Sequence, residues 1–197
     1  MIKPFKHITK DFFVGNLGMP EFTDEINEKC DKVLNNKDIP NVYEMPARVS
    51  FDDDGVSLSD TKVRKCTVAG LDVSEFNFIE SGLSQIVKNT NQLYWNLPLE
   101  NQWNENIQYI KYNDKGDFFN WHQDACGDCF TERKITVVYC LSHKSDYVGA
   151  EFQIKTENST YTRKYDYGDF IVFPADRVHR VKPLKSGKRT TLVGWYS

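Results

Sequence analysis

The residues best placed to do chemistry in this chain are His122-Gln123-Asp124 and the distant His179. On extended backbone, side chains two apart point the same way, so the His122 imidazole and the Asp124 carboxylate can reach one metal ion. His179 stands in a strand-like run, Val178-His179-Arg180-Val181, followed by Lys182-Pro183-Leu184-Lys185-Ser186-Gly187-Lys188 and Arg189. Read as an antiparallel hairpin centred near Leu184, this stretch sets position 179 opposite position 189, an imidazole and a guanidinium on one concave face. A fixed cation beside a metal suits an organic acid that chelates the ion at one end and meets the guanidinium at the other. Arginine serves this better than lysine, because its planar fork grips a carboxylate bidentately and keeps its charge when buried.

The elements that must hold these groups fall into two styles. Residues 21–36 read as a helix, with Ile26, Cys30, Val33 and Leu34 on one face and Thr23 or Asp24 as its N-cap. A second helix is predicted over 74–88, where Phe76, Ile79, Leu83, Ile86 and Val87 share a face that Gly82 interrupts. From residue 106 the period changes to two. Short Val-, Ile-, Thr-, Tyr- and Phe-rich runs recur at 106–112, 134–141, 150–155, 160–165, 169–173, 178–182 and 189–196. Turn sequences separate them, among them Asn113-Asp114-Lys115-Gly116, Glu157-Asn158-Ser159 and Pro174-Ala175-Asp176. Many short strands with regular punctuation indicate a sandwich or barrel rather than alternating strand and helix units.

At 197 residues, with 40% hydrophobic and 27% charged residues, the chain has the make-up of one sizeable globular domain. We read residues 1–197 as a single domain in which 1–105 give helical and strand support and 106–197 form the core. A formal net charge of −3 argues against a nucleic-acid binder, which needs a dense basic face. No apolar run approaches the ~18 residues of a membrane span. The first residues, Met1-Ile2-Lys3-Pro4-Phe5-Lys6-His7, lack the apolar stretch of a secretory signal, so a cytoplasmic protein with reduced thiols at its five cysteines is expected.

Two histidines and one carboxylate with open positions make up the facial triad of non-haem Fe(II) oxygenases. With this the chain resembles the Fe(II)- and 2-oxoglutarate-dependent dioxygenases of the prolyl 4-hydroxylase-like group, which includes the bacterial and viral prolyl/lysyl-hydroxylase-domain proteins. The resemblance rests on Tyr112, Gly116, Phe119, His122 and Asp124; on Gly149-Ala150-Glu151; and on Gly168-Asp169-Phe170-Ile171-Val172-Phe173-Pro174. It ends in His179-Arg180-Val181-Lys182-Pro183 with Gly187, Arg189, Thr191 and Trp195. These motifs span about residues 106–196 in order, and the first hundred residues carry none.

The resemblance implies a mainly β, α+β chain with N-terminal helices and a double-stranded β-helix (jelly-roll) core. It implies Fe(II) on His122, Asp124 and His179, and Arg189 on the distal carboxylate of the 2-oxoglutarate cosubstrate. Thr191 or Tyr112 would add a hydroxyl, Tyr109 stays open as the alternative tyrosine, and Trp195 would wall the pocket. Thr136 and Tyr139 are both candidates for a further cosubstrate contact. Ascorbate is a further candidate cofactor. The implied reaction hydroxylates an unactivated carbon, with release of succinate and carbon dioxide. The substrate expected is a prolyl residue in a peptide or protein. The alternatives are a dioxygenase acting on a free amino acid or small molecule, and a non-catalytic metal-containing jelly-roll module. Nucleobase demethylation is disfavoured, because that branch carries a second arginine after the cosubstrate one and none follows Arg189.

Other residues carry blander expectations. Cys126-Gly127-Asp128-Cys129 is not half of a zinc site, since no second Cys/His pair stands at suitable spacing, and reads as two free thiols in a loop in preference to a redox pair. Asp52-Asp53-Asp54 reads as a solvated turn, Arg177 and Arg180 as outward-facing, and His143 as surface. Phe118, Phe119 and Trp121 could stack on a proline ring or simply close the core.

Overall fold

The computed structural model describes residues 3–35, 44–46, 50–51, 57–58, 62–72, 76–100, 105–125 and 132–197. Cys126, Cys129 and the Asp52–Asp54 run lie outside these residues. Two strands, β1 (Lys3–Thr9) and β2 (Phe12–Asn16), precede helix α1 (Pro20–Asn35). Five short strands follow: β3 (Glu44–Pro46), β4 (Ser50–Phe51), β5 (Ser57–Leu58), β6 (Arg64–Lys65) and β7 (Thr67–Leu71). Helix α2 (Asn77–Tyr94) leads into β8 (Ile107–Tyr112), β9 (Phe118–His122), β10 (Ile135–Cys140) and β11 (Tyr147–Gly149). The chain then forms β12 (Phe152–Lys155), β13 (Thr160–Arg163), β14 (Asp169–Pro174), β15 (His179–Val181), β16 (Leu184–Gly187) and β17 (Arg189–Tyr196).

All strand pairs among the described residues are antiparallel. The larger sheet runs β1-β2-β14-β10-β17-β8-β7-β3, and the smaller one β13-β12-β15-β9-β6. Two minor ribbons pair β11 with β16 and β4 with β5. The expected mainly β jelly roll with helices in the first half is therefore present.

The central strands of the larger sheet are buried on both faces, which is why β10 is a continuous apolar run instead of an alternating one. Ile135, Val137 and Tyr139 pack with the helices, against Ile26, Cys30, Ile79, Leu83 and Val87. Val138 and Cys140 point the other way, into a second cluster with Ile110, Phe152, Phe173 and Val181 between the sheets. The same period of two sorts β8 and β17: Ile107, Tyr109, Leu192 and Tyr196 join the helix side, while Ile110, Tyr112, Arg189, Thr191, Val193 and Trp195 line a cavity between the sheets.

The helices differ from expectation in instructive ways. Helix α1 begins at Pro20, whose fixed φ suits a first helical turn. Thr23 and Asp24 thus lie inside the helix and do not cap it; Thr23 is buried, its hydroxyl 2.7 Å from that of Tyr139. Helix α2 starts three residues later than predicted and runs to Tyr94. Its extension is sustained by polar groups: Thr90 Oγ1 donates to the Ile86 carbonyl at 2.7 Å, and the Asn91 amide both accepts from and donates to the Leu97 backbone at 2.9 Å. Gly82 is there for packing, since a Cβ at this position would sit 2.5 Å from the Phe22 ring of α1.

The hairpin predicted around Leu184 is not formed. His179 pairs with Ile154 and His122 in the smaller sheet, whereas Arg189 pairs with Tyr112 in the larger one. Between them β16 leaves to pair with β11, and the chain turns at Gly187, whose φ of +81° places a would-be Cβ 2.0 Å from the Asp146 carbonyl oxygen. Residues 179 and 189 still share one cavity because the two sheets face each other.

Candidate metal and acid-binding site

At one end of the cavity three side chains converge. β9 carries His122, the turn after it Asp124, and β15 His179 directly across from His122. Asp124 Oδ1 lies 3.5 Å from His122 Nε2, and Oδ2 lies 3.5 Å from His179 Nε2. Their ligand atoms all fall within 4.8 Å of one another. Each imidazole is aimed by the main chain: Nδ1 of His122 is 2.7 Å from the Asn120 carbonyl, and Nδ1 of His179 is 2.9 Å from the Arg177 carbonyl. A carbonyl only accepts, so both Nδ1 atoms carry a proton, and in the neutral ring Nε2 offers the lone pair. With both rings neutral, two lone pairs and a carboxylate face one point, an arrangement that a cation relieves. The donor set therefore fits a metal ion, and two nitrogens with one oxygen suit ferrous iron.

The electrostatics agree. Burial pushes the His179 imidazole down to about 4, so it is neutral at physiological pH, as a metal ligand must be. Burial works against the Asp124 charge, but the His179 and His122 imidazoles, when protonated, and a bond from Thr136 outweigh it and hold the carboxyl below the usual carboxylate range. Thr136 Oγ1 donates to Asp124 Oδ2 at 2.7 Å. Phe119 stacks on His122 with ring centroids 3.4 Å apart, fixing the ring plane.

At the other end stands Arg189, 1% exposed, with its Cζ 5.2 Å from the centre of the Tyr112 ring. It is hydrogen-bonded to the Tyr147 phenol, which in turn donates to the Tyr165 carbonyl at 2.7 Å. The Nε and Nη2 of Arg189 are buried without a hydrogen-bond partner, and no carboxylate among the described residues pairs with the guanidinium. A buried cation left so costs several kcal/mol on the order of magnitude unless a ligand completes it. An acid fits this end of the cavity as a cation fits the other. The space between is walled by Ile110, Val138, Phe152, Thr191 and Trp195.

The structure brings together His122, Asp124, His179, Arg189, Tyr112, Thr191 and Trp195, all named from sequence. It decides between others. Thr136 touches Asp124, whereas Tyr139 and Tyr109 lie on the helix side of their strands. Phe119 lines the cavity; Trp121 stacks instead with Arg180, whose Cζ is 4.4 Å from its ring centre. Arg180 also donates to Gln153 at 2.6 Å, Arg177 faces Asp11 at 3.6 Å, and the His143 side chain is 61% exposed. Sequence reasoning missed Tyr147, a buried tyrosine at the start of β11, just ahead of the Gly149-Ala150-Glu151 motif. It also missed Arg64 and Gln108, which lie in the cavity wall.

Residues 107–197 match the profile of the 2OG-Fe(II) oxygenase superfamily. The chain is 44% identical over 61 residues to a PKHD-type hydroxylase of Prochlorococcus marinus (strain MIT 9515), covering 31% of this chain and 28% of that protein. It is 31% identical over 90 residues to a PKHD-type hydroxylase of Hyphomonas neptunium, covering 44% and 40%. The chain thus matches less than half the length of these curated relatives. Among solved structures, a Pseudomonas putida prolyl-4-hydroxylase aligns with TM-score 0.71 at 16% identity over 94% of this chain and 91% of that one. A Trichoplax adhaerens prolyl hydroxylase, in complex with a hypoxia inducible factor oxygen degradation domain peptide fragment, aligns with TM-score 0.75 at 17% identity over 95% and 84%. These likenesses carry the fold. Profile, fold and converging side chains agree: residues 107–197 are similar to the 2OG-Fe(II) oxygenase superfamily, and the chain shares the fold of solved prolyl hydroxylases.

Proposed function

We propose that this protein is a 2-oxoglutarate-dependent dioxygenase that hydroxylates a prolyl residue in a peptide or protein, releasing succinate and carbon dioxide. The observation that carries the reading is the pairing, in one cavity, of three converging donor groups with a buried guanidinium whose Nε and Nη2 lack partners. His122, Asp124 and His179 would hold Fe(II). Arg189 would receive the distal carboxylate of 2-oxoglutarate, with Tyr147 fixing the guanidinium and Tyr112 beneath it; Thr191, two residues along the same strand face, would flank the diacid. Bound iron and 2-oxoglutarate supply the oxidation of an unactivated carbon. The chain's own part is to aim two imidazoles through backbone carbonyls, to hold Asp124 ionised through Thr136, and to keep water away with Ile110, Val138 and Phe152. The prolyl substrate is supported by the fold shared with prolyl hydroxylases and by the aromatic Phe119 in the cavity wall. Ascorbate enters as the reductant that keeps the iron ferrous. Residues 1–105 we read as support for the catalytic half within one domain.

The test is succinate formation from 2-oxoglutarate with Fe(II), with and without a proline-containing peptide library, followed by mass spectrometry for a gain of one oxygen. Peptide-stimulated succinate with hydroxylated proline is expected. No succinate under any condition would overturn the enzyme reading; succinate with no modified proline would overturn the substrate.

A further inference from the structure

A second guanidinium lines the same cavity. Arg64, on β6, is 5% exposed and bridges the two sheets. Its Nε lies 3.2 Å from Cys66 Sγ, its Nη2 donates to Gln108 Oε1 at 3.3 Å, and its Cζ sits 4.4 Å from the centre of the Phe119 ring. All three partners are neutral. No carboxylate among the described residues pairs with it, although lysines and arginines elsewhere, such as Lys65 and Arg133, do find one. A buried arginine that, among the described residues, is held only by a thiol, an amide and a ring is a charge in want of an anion.

Strand register separates Arg64 from Arg189. Arg189 opposes Tyr112 at one end of the β8–β17 pair, while Gln108, which Arg64 touches, opposes Val193. Four residues of strand, roughly 13 Å, lie between those positions. Thr136, the partner of Asp124, opposes Trp195, two residues beyond Val193. The order along the cavity is thus Arg189, then Thr191 and Ile110, then the level of Gln108 and the His-Asp-His cluster. A five-carbon diacid reaching from Arg189 to the metal donors occupies the first part; Arg64, whose Nε reaches back to Cys66 near the Tyr112 level while its Nη2 meets Gln108, flanks that diacid and turns its Nη2 edge toward the metal side. The ring that Arg64 covers, Phe119, is the one stacked on His122.

We propose that Arg64 anchors the primary substrate by a carboxylate, so that the enzyme selects acidic substrates over their neutral isosteres. This rests on the hydroxylase reading for the position of the substrate, and it adds its charge class. The carboxylate belongs either to an acidic residue or C-terminus of a prolyl peptide or to a free amino acid, and both present the same group to a guanidinium fork.

The experiment is calorimetric binding to the full chain loaded with Fe(II) and 2-oxoglutarate under nitrogen, where no turnover occurs. One arm compares proline peptides flanked by Asp or Glu with the same peptides carrying Asn or Gln. The other compares L-proline with L-prolinamide. About tenfold or tighter binding of the acid in either arm is expected. The preference falls to near unity in Arg64→Gln and is partly kept in Arg64→Lys, which a merely structural staple would not produce. The arm that responds identifies the source of the carboxylate. Equal affinity for acid and amide in both arms of the wild-type protein overturns the proposal without recourse to any variant. Admitting air to the same samples separates the two readings. Hydroxylated proline without acid preference leaves the hydroxylase reading standing, and acid preference without hydroxylated proline does the reverse.

Discussion

The two ends of the cavity are built on opposite terms. At the donor end, every group is anchored by a second bond: each imidazole to a carbonyl two residues back, Asp124 to Thr136. At the acid end, Arg189 is steadied by Tyr147 and Tyr112 but left with two buried donors unmet. The first is finished geometry in which the folded chain has already aimed its ligands, so little ordering remains when a cation arrives. The second is an incomplete one, where free energy spent on desolvating a cation during folding is returned on ligand binding. The difference predicts that mutations at the donor end act on what the site can bind, whereas at the acid end they trade ligand affinity against the stability of the empty protein.

The largest effect is expected from His122→Ala. Removing one of the three proposed ligands should abolish Fe(II) retention and bring succinate formation to background, both measured on protein loaded anaerobically. Retained iron at wild-type stoichiometry would exclude His122 as a ligand.

Next comes Arg189→Met, which should weaken 2-oxoglutarate by about a hundredfold or more, because the carboxylate loses its charge-assisted partner. In the absence of 2-oxoglutarate the same variant should be as stable as wild type or more stable by about 1–4 kcal/mol, since an uncompensated buried charge has gone. Chemical denaturation with and without 2-oxoglutarate reads both numbers. A variant that is markedly less stable when empty would break the contrast between the two ends.

The smallest effect is that of Thr136→Val, close in shape but without the hydroxyl that donates to Asp124. Metal affinity should fall by about tenfold, the lower range for lost outer partners of a ligand, with 2-oxoglutarate affinity per metal-loaded site left close to wild type. A competition titration with a chelator measures it; no change would show that Asp124 needs no second anchor.

Much of the donor end was legible because its residues are scarce and closely spaced. Only four histidines occur in the chain, and one of them stands two residues from Asp124. Arg189 was legible as a charge on an apolar strand, although the hairpin used to place it was wrong: Pro183 and Gly187 divert β16 to β11, so residues 179 and 189 meet across sheets rather than across a turn. The strands of the last half announced themselves by alternation. β2 did not, since Phe12, Phe13 and Val14 are all buried and form a short run without period. Tyr147 and Arg64 escaped for a different reason. Their roles come from register and from which partners are missing, and neither is written in local spacing. Tyr109, Tyr139 and Thr136 needed a register correct to one residue, because a slip of one exchanges the cavity for the helices.

The carbonyls of Asn120 and Arg177 that fix the two imidazoles belong to the peptide unit, not to any side chain. Whatever amino acids occupy those two places, the oxygen remains, and with it the tautomer each ring must adopt. Proton placement at the heart of the site is thereby insulated from genetic drift at 120 and 177: those side chains are free to be recruited for other tasks, while only a change in backbone path could disturb the lone pairs.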